Sequence, residues 1–316
     1  MDDLIAAVDL GSNSFRLSVG RVVTDGDAGE ARAQIVPVDR AKETVRLAAG
    51  LDAGGCLNDA TLERAERVLA HFGERLRDFP PARVRAVATN TFRVAKNAAQ
   101  FLPRLQAALG FGIDIISGLE EARLIYVGVA HSLPKSSARD ATRRLVVDIG
   151  GGSTEIIIGE HHQPLHVASC EMGCVTYSQR YFPDGRITAD AMARAQQAAR
   201  RELAPFVRPY RDTGWQEAYG SSGTAKALYA ILIEGGYARA ITADGLRQLQ
   251  DRVLTAGCVV PEQLPGIKLD RADVLPGGLA IMRAVVEELG IDHMRTGDGA
   301  LRMGVLYDML ERLTVN

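Results

Sequence analysis

Four cysteines in 316 residues, at positions 56, 170, 174 and 258, fit no paired zinc spacing and are too few to staple a chain of this size. Reduced thiols are expected, and a disulfide framework is excluded. Long apolar runs are missing as well, since none approaches the roughly 20 residues a membrane helix needs. The acidic start, Met1-Asp2-Asp3, lacks the basic opening of a signal peptide. A cytoplasmic protein with no membrane partner is expected. Lysine is scarce, supplying five of the 37 basic residues. Arginine makes planar, two-pronged contacts to phosphate, although a GC-rich genome produces the same skew. A net charge of −2 excludes a surface that coats polyanions in general, so nucleic acid is not expected as a partner. Any anionic ligand must be met by a local cluster of cations. Low-complexity tracts and short repeats are also absent, and the length suits two ordinary α/β domains.

What is present is one pattern used twice. Ala7-Val8-Asp9-Leu10-Gly11-Ser12-Asn13-Ser14, continuing to Gly20, lies without a gap on Val146-Val147-Asp148-Ile149-Gly150-Gly151-Gly152-Ser153, continuing to Gly159. In each, an apolar run delivers an aspartate to a strand end, a Gly/Ser turn follows, and a second apolar run returns. Consecutive amides in such a turn make an anion-binding concavity, and the neighbouring acid can hold a divalent cation on the same phosphates. The repetition implies a duplicated domain.

Hairpin counting places the charges. If Gly150 to Ser153 form the second turn, Ile149 pairs with Thr154 and Asp148 lies across from Glu155. Two adjacent carboxylates call for a cation between them, and Mg²⁺ or Mn²⁺ is the natural occupant. The alternative is that Glu155 sits on an exposed hairpin face. In the first hairpin Asp9 takes the place of Asp148, and Arg16 takes that of Glu155. One hairpin would hold metal; the other would add a cation for phosphate oxygens.

Glu120 and Glu121 separate by helix geometry. With Ser117 as N-cap, Glu120 falls at the third position and reaches back to the cap, whereas Glu121 shares a face with Leu124, Ile125 and Gly128. A carboxylate there is placed to orient and deprotonate water, or it simply complements the helix dipole. Gly220-Ser221-Ser222-Gly223-Thr224, between a strand and a helix, is a weak anion signal. Arg93, Lys96 and Arg46 stand in loops of the first half. A soft-metal cluster of His161, His162, His166, Cys170 and Cys174 is a remote alternative.

The remaining pattern predicts strands over 34–38, 84–88 and 113–116, with a charged loop at 39–43. Helices are expected over 58–77 with Asn58 as cap, from Asn97 with capping-box spacing, over 117–129 and 190–201, and over 224–233, 244–256, 276–289 and 299–313. The polar stretch 134–143 reads as a domain boundary.

Taken together, these segments resemble the exopolyphosphatase/guanosine pentaphosphate phosphatase family. They are the two hairpins, Thr89 to Arg93, Ile116-Ser117-Gly118-Leu119-Glu120-Glu121-Ala122-Arg123, Met172 to Val175, Gly220 to Thr224, and Asp298-Gly299-Ala300-Leu301-Arg302. The resemblance implies a duplicated ribonuclease-H-like fold of the actin, heat-shock ATPase and sugar kinase superfamily, with phosphates in a central cleft. Its domains would be 1–130 completed by the last helix at about 299–316, and 131–298. It implies Glu121 as catalytic base, and Mg²⁺, or Mn²⁺, on Asp148, Glu155 and Asp9. Phosphate would meet Gly11, Ser12, Asn13, Ser14, Arg93, Gly150, Gly151, Gly152, Ser153, Gly223 and Thr224, with Arg16, Arg46 and Arg271 as further basic positions. The implied partner is inorganic polyphosphate, cleaved at its terminal phosphate, and guanosine pentaphosphate, giving the tetraphosphate, is the alternative. A superfamily kinase and a non-catalytic sensor are rivals of another class, and a homodimer stays open. The chain lacks the C-terminal HD-like region of longer members, so little processivity is expected.

Overall fold

The computed structural model describes residues 3–25, 32–52, 54–133 and 142–315. The chain divides into two compact units, Met1–His131 with Gly299–Asn316, and Ser132–Asp298. The predicted boundary segment falls largely on 134–141, outside the described residues.

Unit 1 runs β1 (Leu4–Leu10), β2 (Ser14–Asp25), β3 (Arg32–Thr44), α1 (Asp59–Leu76), β4 (Val84–Ala88), α2 (Asn90–Val94), α3 (Ala98–Leu109), β5 (Ile113–Ile115) and α4 (Gly118–Ser132). Unit 2 runs β6 (Arg143–Ile149), β7 (Thr154–Glu160), β8 (Gln163–Cys170), α5 (Cys174–Tyr181), α6 (Ala189–Thr213), β9 (Glu217–Gly220), α7 (Gly223–Glu234), α8 (Ala243–Ala256), α9 (Leu275–Leu289) and β10 (Arg295–Thr296). The last helix, α10 (Ala300–Val315), returns to unit 1 and packs on β1 and β2.

The sheets are built alike. Their strand orders are β3-β2-β1-β4-β5 and β8-β7-β6-β9-β10. In each, the first three strands are antiparallel neighbours, and the fourth and fifth join in parallel. This is the ribonuclease-H-like fold, present twice. The central strands are apolar without alternation because both faces are covered: Ile5 to Val8 and Leu145 to Val147 have no exposed surface. In unit 1 one face of the sheet joins α1 and α3 in a core of Leu10, Phe15, Leu17, Leu69, Phe72 and Leu105.

Several predicted elements differ. The charged loop expected at 39–43 is strand, since β3 stays paired with β2 to Thr44 across an irregularity at Val19/Gly20. Its charges alternate between the faces of an edge strand, where solvent accepts them. Directly after the predicted strand, Thr89 stands at the N-cap and Asn90-Thr91 open the short helix α2. Asn97 makes no cap bond; its side chain clamps the Leu57 amide (2.9 Å) and carbonyl (3.0 Å) instead. The helix expected over 190–201 runs on to Thr213 through Pro205 and Pro209. Both prolines are exposed, so the carbonyls they orphan turn to water, while buried Leu203 and Tyr210 hold the other face.

Within unit 1, α4 and α10 approach until backbones touch. A Cβ on Gly128 would lie 2.0 Å from the Ala300 carbonyl oxygen, and one on Gly304 would lie 1.8 Å from that of Leu124. Beside this crossing, Asp308 on α10 accepts from Arg85 of β4 (2.5 Å), Arg123 of α4 (2.5 Å) and Arg312 (2.9 Å). Burial works to raise the Asp308 carboxyl, but hydrogen bonding and charge from Arg123, followed by Arg85 and Arg312, hold it below its ordinary value.

A depressed carboxyl stabilises the fold above its unfolded pKa, about 3.9, and that contribution disappears as pH falls through the lower folded value. Asp308→Asn should therefore destabilise unit 1 by about 2–4 kcal/mol at neutral pH. The deficit should shrink towards pH 2. Urea unfolding across pH 2–7 measures both, and a deficit independent of pH would count against the ionised Asp308 as the anchor.

Candidate active site

The second turn is held from behind. The Gly150 amide donates to the Ser153 carbonyl (2.8 Å), closing the turn on itself. The Gly150 carbonyl accepts from Cys174, and that of Gly151 from Val175 and Thr176, all at the start of α5. The amides of Gly151, Gly152 and Ser153 have no backbone acceptor among the described residues, so they remain as donors for an anion. The support is close: a Cβ on Gly173 would lie 2.3 Å from the backbone of Gly151 and Gly152.

The register places Asp148 opposite Glu155 and Ile149 opposite Thr154, as counted from the sequence. Cross-strand partners project to one face, so the two carboxylates stand side by side at the strand end. Glu155 is buried, which removes the reading of an exposed hairpin acid. Each carboxylate is oriented by a serine: Ser221 donates to Asp148 Oδ2 (2.6 Å) and Ser169 to Glu155 Oε1 (2.9 Å). Neither serine was singled out as a carboxylate partner. Ser221 stands in the Gly220–Thr224 motif, but the motif does not say where its hydroxyl turns. Ser169 pairs with Glu155 across β7 and β8, and the register irregularity at Ile158/Gly159 defeats counting from that hairpin's turn.

The first turn repeats this plan with other chemistry. Asp9 pairs with Arg16, and the Arg16 guanidinium reaches Ser14 (3.4 Å). The Asn13 carbonyl accepts from the amides of Val45 and Arg46, and that of Ser12 from Ala48. This ties Arg46, at a left-handed φ of 53°, to the turn. The amides of Gly11, Ser12 and Asn13 have no backbone acceptor among the described residues.

Glu121 is buried in the first turn of α4, on the inward face that the apolar spacing predicts. Arg93 donates to its Oε2 (2.8 Å) and to the Ile116 carbonyl (3.0 Å), so two residues singled out separately meet in one contact. Glu120 is held differently from the expected capping box. Its amide does donate to Ser117 Oγ (3.1 Å), but its carboxylate takes Arg123 through two bonds of 2.8 and 2.9 Å. A guanidinium one turn along outcompetes a single backbone amide. Nearby in sequence, the buried Thr91 hydroxyl has no partner, a cost of about 1–3 kcal/mol unless water or a ligand oxygen meets it.

At the start of α7, Ser222 caps the helix by accepting from Ala225 (3.0 Å). Thr224 spends its hydroxyl on the Ile149 carbonyl (3.0 Å), so only its amide is left for an anion. Arg271 is buried against Gly223, where a Cβ would lie 2.4 Å from the guanidinium. The soft-metal alternative fails. No group of three or more His, Cys, Asp or Glu suited to a metal forms among the described residues. Burial, aided by Glu155 and Glu202, pushes the Cys170 thiol up to about 12, and burial likewise raises Cys174.

The sequence model of the Ppx/GppA phosphatase family matches residues 22–313. The chain belongs to this family. A Ppx/GppA family member from Aquifex aeolicus is 25% identical with a TM-score of 0.73, covering 99% of this chain and 98% of its own. An exopolyphosphatase-like protein is 25% identical with a TM-score of 0.81, at coverages of 98% and 99%. An exopolyphosphatase from Cytophaga hutchinsonii, 23% identical, shares the fold with a TM-score of 0.81 and 98% coverage of both chains. The chain is thus a Ppx/GppA phosphatase of the length of these relatives. No described helix is long and apolar enough to cross a membrane.

Gly173 offers a test of the turn's construction. Gly173→Ala forces Gly151 and Gly152 to move, and overpacking of this kind costs about 1–3 kcal/mol. The expected result is a lowered melting temperature with faster amide exchange concentrated at 150–153 and 173–176. Unchanged exchange there would show that α5 does not brace the turn.

Proposed function

We propose that this Ppx/GppA phosphatase is an exopolyphosphatase, cleaving the terminal phosphoanhydride of inorganic polyphosphate with water. The observation that carries it is the buried Glu121–Arg93 contact at the start of α4. A buried carboxylate oriented by a guanidinium can accept a proton from water, while the guanidinium adds positive charge for phosphate. The water oxygen bonds to the terminal phosphorus, its proton passes to Glu121, and the bond from that phosphorus to the bridging oxygen breaks. Orthophosphate leaves, and the chain is one unit shorter. The names of relatives, one exopolyphosphatase-like and one exopolyphosphatase, favour polyphosphate over guanosine pentaphosphate.

The donor set at Asp148 and Glu155 fits a hard divalent cation: two adjacent carboxylates of one sign, each oriented by a serine hydroxyl, with water and phosphate left to complete an oxygen shell. Mg²⁺ or Mn²⁺ held there would offset charge on the phosphate oxygens. Asp9 is the corresponding strand-end acid in unit 1. The amides of each turn are donors of the kind that hold non-bridging phosphate oxygens.

Glu121→Gln should lower kcat on the order of 10²-fold or more with binding retained, whereas Glu120→Gln, whose partner is Arg123, should be milder. The reverse order would reverse the assignment. Asp148→Asn and Glu155→Gln should each raise the Mg²⁺ concentration for half-maximal rate, with partial rescue by excess metal. Unchanged metal dependence in both would remove the cation from these acids. Phosphate release from polyphosphate, guanosine pentaphosphate and ATP, compared by kcat/KM, tests the substrate; a clear preference for the guanosine nucleotide would overturn it.

A further inference from the structure

Unit 2 holds a cavity of about 290 Å³ at the end of its sheet away from the second turn. The register fixes its place. β9 starts at Glu217 opposite Arg144, near the beginning of β6, whereas the second turn follows the far end of β6 at Ile149. About 16 Å of strand lies between, so the cavity and the Asp148–Glu155 pair are separate places. The buried part of its lining is apolar, with Ala218 from β9 and Leu289 from the end of α9. The accessible part carries Arg211 of α6, Trp215 from the α6–β9 connection, and Asp292 and His293 from the α9–β10 connection.

Singly, each of these groups is an ordinary solvated side chain, but their arrangement is not that of a plain surface. The chain's one tryptophan stands half-buried here, and its indole N–H has no acceptor among the described residues. Arg211 lies over the last turn of α9: one Nη2 proton is directed weakly to the Glu287 carbonyl (3.4 Å), and a Cβ on Gly290 would stand 3.8 Å from that nitrogen. Asp292 is two residues past Gly290, a reach of no more than about 7 Å. Even so, Arg211 and Asp292 form no ion pair, and Asp292 has no partner among the described residues. Two opposite charges share a cavity without touching. A molecule carrying the complementary two charges would satisfy both at once.

We propose that this cavity binds a small zwitterion, an α-amino acid with an aromatic or aliphatic side chain. Arg211 takes its carboxylate, Asp292 takes its ammonium group, and Trp215, Leu289 and Ala218 cover its side chain. The charge balance favours this ligand over a phosphate compound. One guanidinium and one carboxylate cancel, so a nucleotide or a phosphate chain would bring negative charge that the lining does not meet. The size agrees as well, because the volume is at the small end of the range for ligand cavities, with an apolar floor and few polar groups. Indole supplies a broad apolar face and one donor, which suits a ligand with an apolar body and a charged end. The site stands apart from the phosphate chemistry and does not depend on the polyphosphate reading.

The test titrates the full chain with L-phenylalanine and L-leucine by calorimetry, with Trp215 as a built-in fluorescence reporter. L-Phenylalanine should bind saturably and change the tryptophan emission. Phenylpropionate, which lacks the ammonium group, and phenethylamine, which lacks the carboxylate, should each bind roughly tenfold more weakly or worse. Asp292→Asn should weaken L-phenylalanine about tenfold and leave phenylpropionate within about twofold, whereas Arg211→Gln should weaken both. Both positions are exposed, and melting temperature reports the fold. Tripolyphosphate should not displace the amino acid. Absence of heat and of any emission change with both amino acids at millimolar concentration would overturn the site. Tighter binding of AMP than of either amino acid, displacement by tripolyphosphate, or equal losses of L-phenylalanine and phenylpropionate in Asp292→Asn would overturn the zwitterion assignment.

Discussion

The backbone contact between α4 and α10 is the constraint on which unit 1 depends. With glycine at both 128 and 304 the helices come close enough for carbonyl oxygens to meet α-carbons, and no other side chain fits there. That closeness brings Asp308 to Arg123 and Arg85, where three guanidiniums converge on one buried carboxylate. Arg123 in turn occupies Glu120, which leaves Glu121 as the inward acid of the helix's first turn, in contact with Arg93. The position of the proposed base thus traces back, contact by contact, to two missing side chains.

Duplication gave the protein two copies of one hairpin, and the copies have diverged at a single decisive register position. Asp148 faces an acid and Asp9 faces an arginine. The first pairing is unfavourable without a cation, and the second sets opposite charges on neighbouring strands. Shared topology supplies the same turn twice, and one substitution across the ladder changes the strand-end pair from acid facing acid to acid facing arginine.

Much of this could be read from the sequence, for reasons that are local. A four-residue turn between uninterrupted apolar runs determines register by counting, so the Asp148–Glu155 pairing followed directly. Helix periodicity placed Glu121 inward and Asn58 as a cap that accepts from Thr61. What escaped was decided at long range. Asn97 had a local role available but found Leu57, forty residues away. The continuation of α6 through two prolines depended on packing by Leu203 and Tyr210, which propensity does not contain. The alternating charges of β3 look like a loop until the opposite faces are known. Ser169 and Ser221 gained their partners only through tertiary contacts.

Unit 1 is discontinuous: its last helix is made after the whole of unit 2. During synthesis at about 5–20 residues per second, residues 1–131 wait many seconds for α10, exposing the face of β1 and β2 that this helix will cover. Throughout that interval Asp308 is missing, so Arg85 and Arg123 are left with Glu120 as their shared carboxylate and the α4 glycine surface is open. Unit 2, contiguous in sequence, has all its residues first. The nascent chain therefore completes the second turn before the α4–α10 packing that positions Glu121 can form.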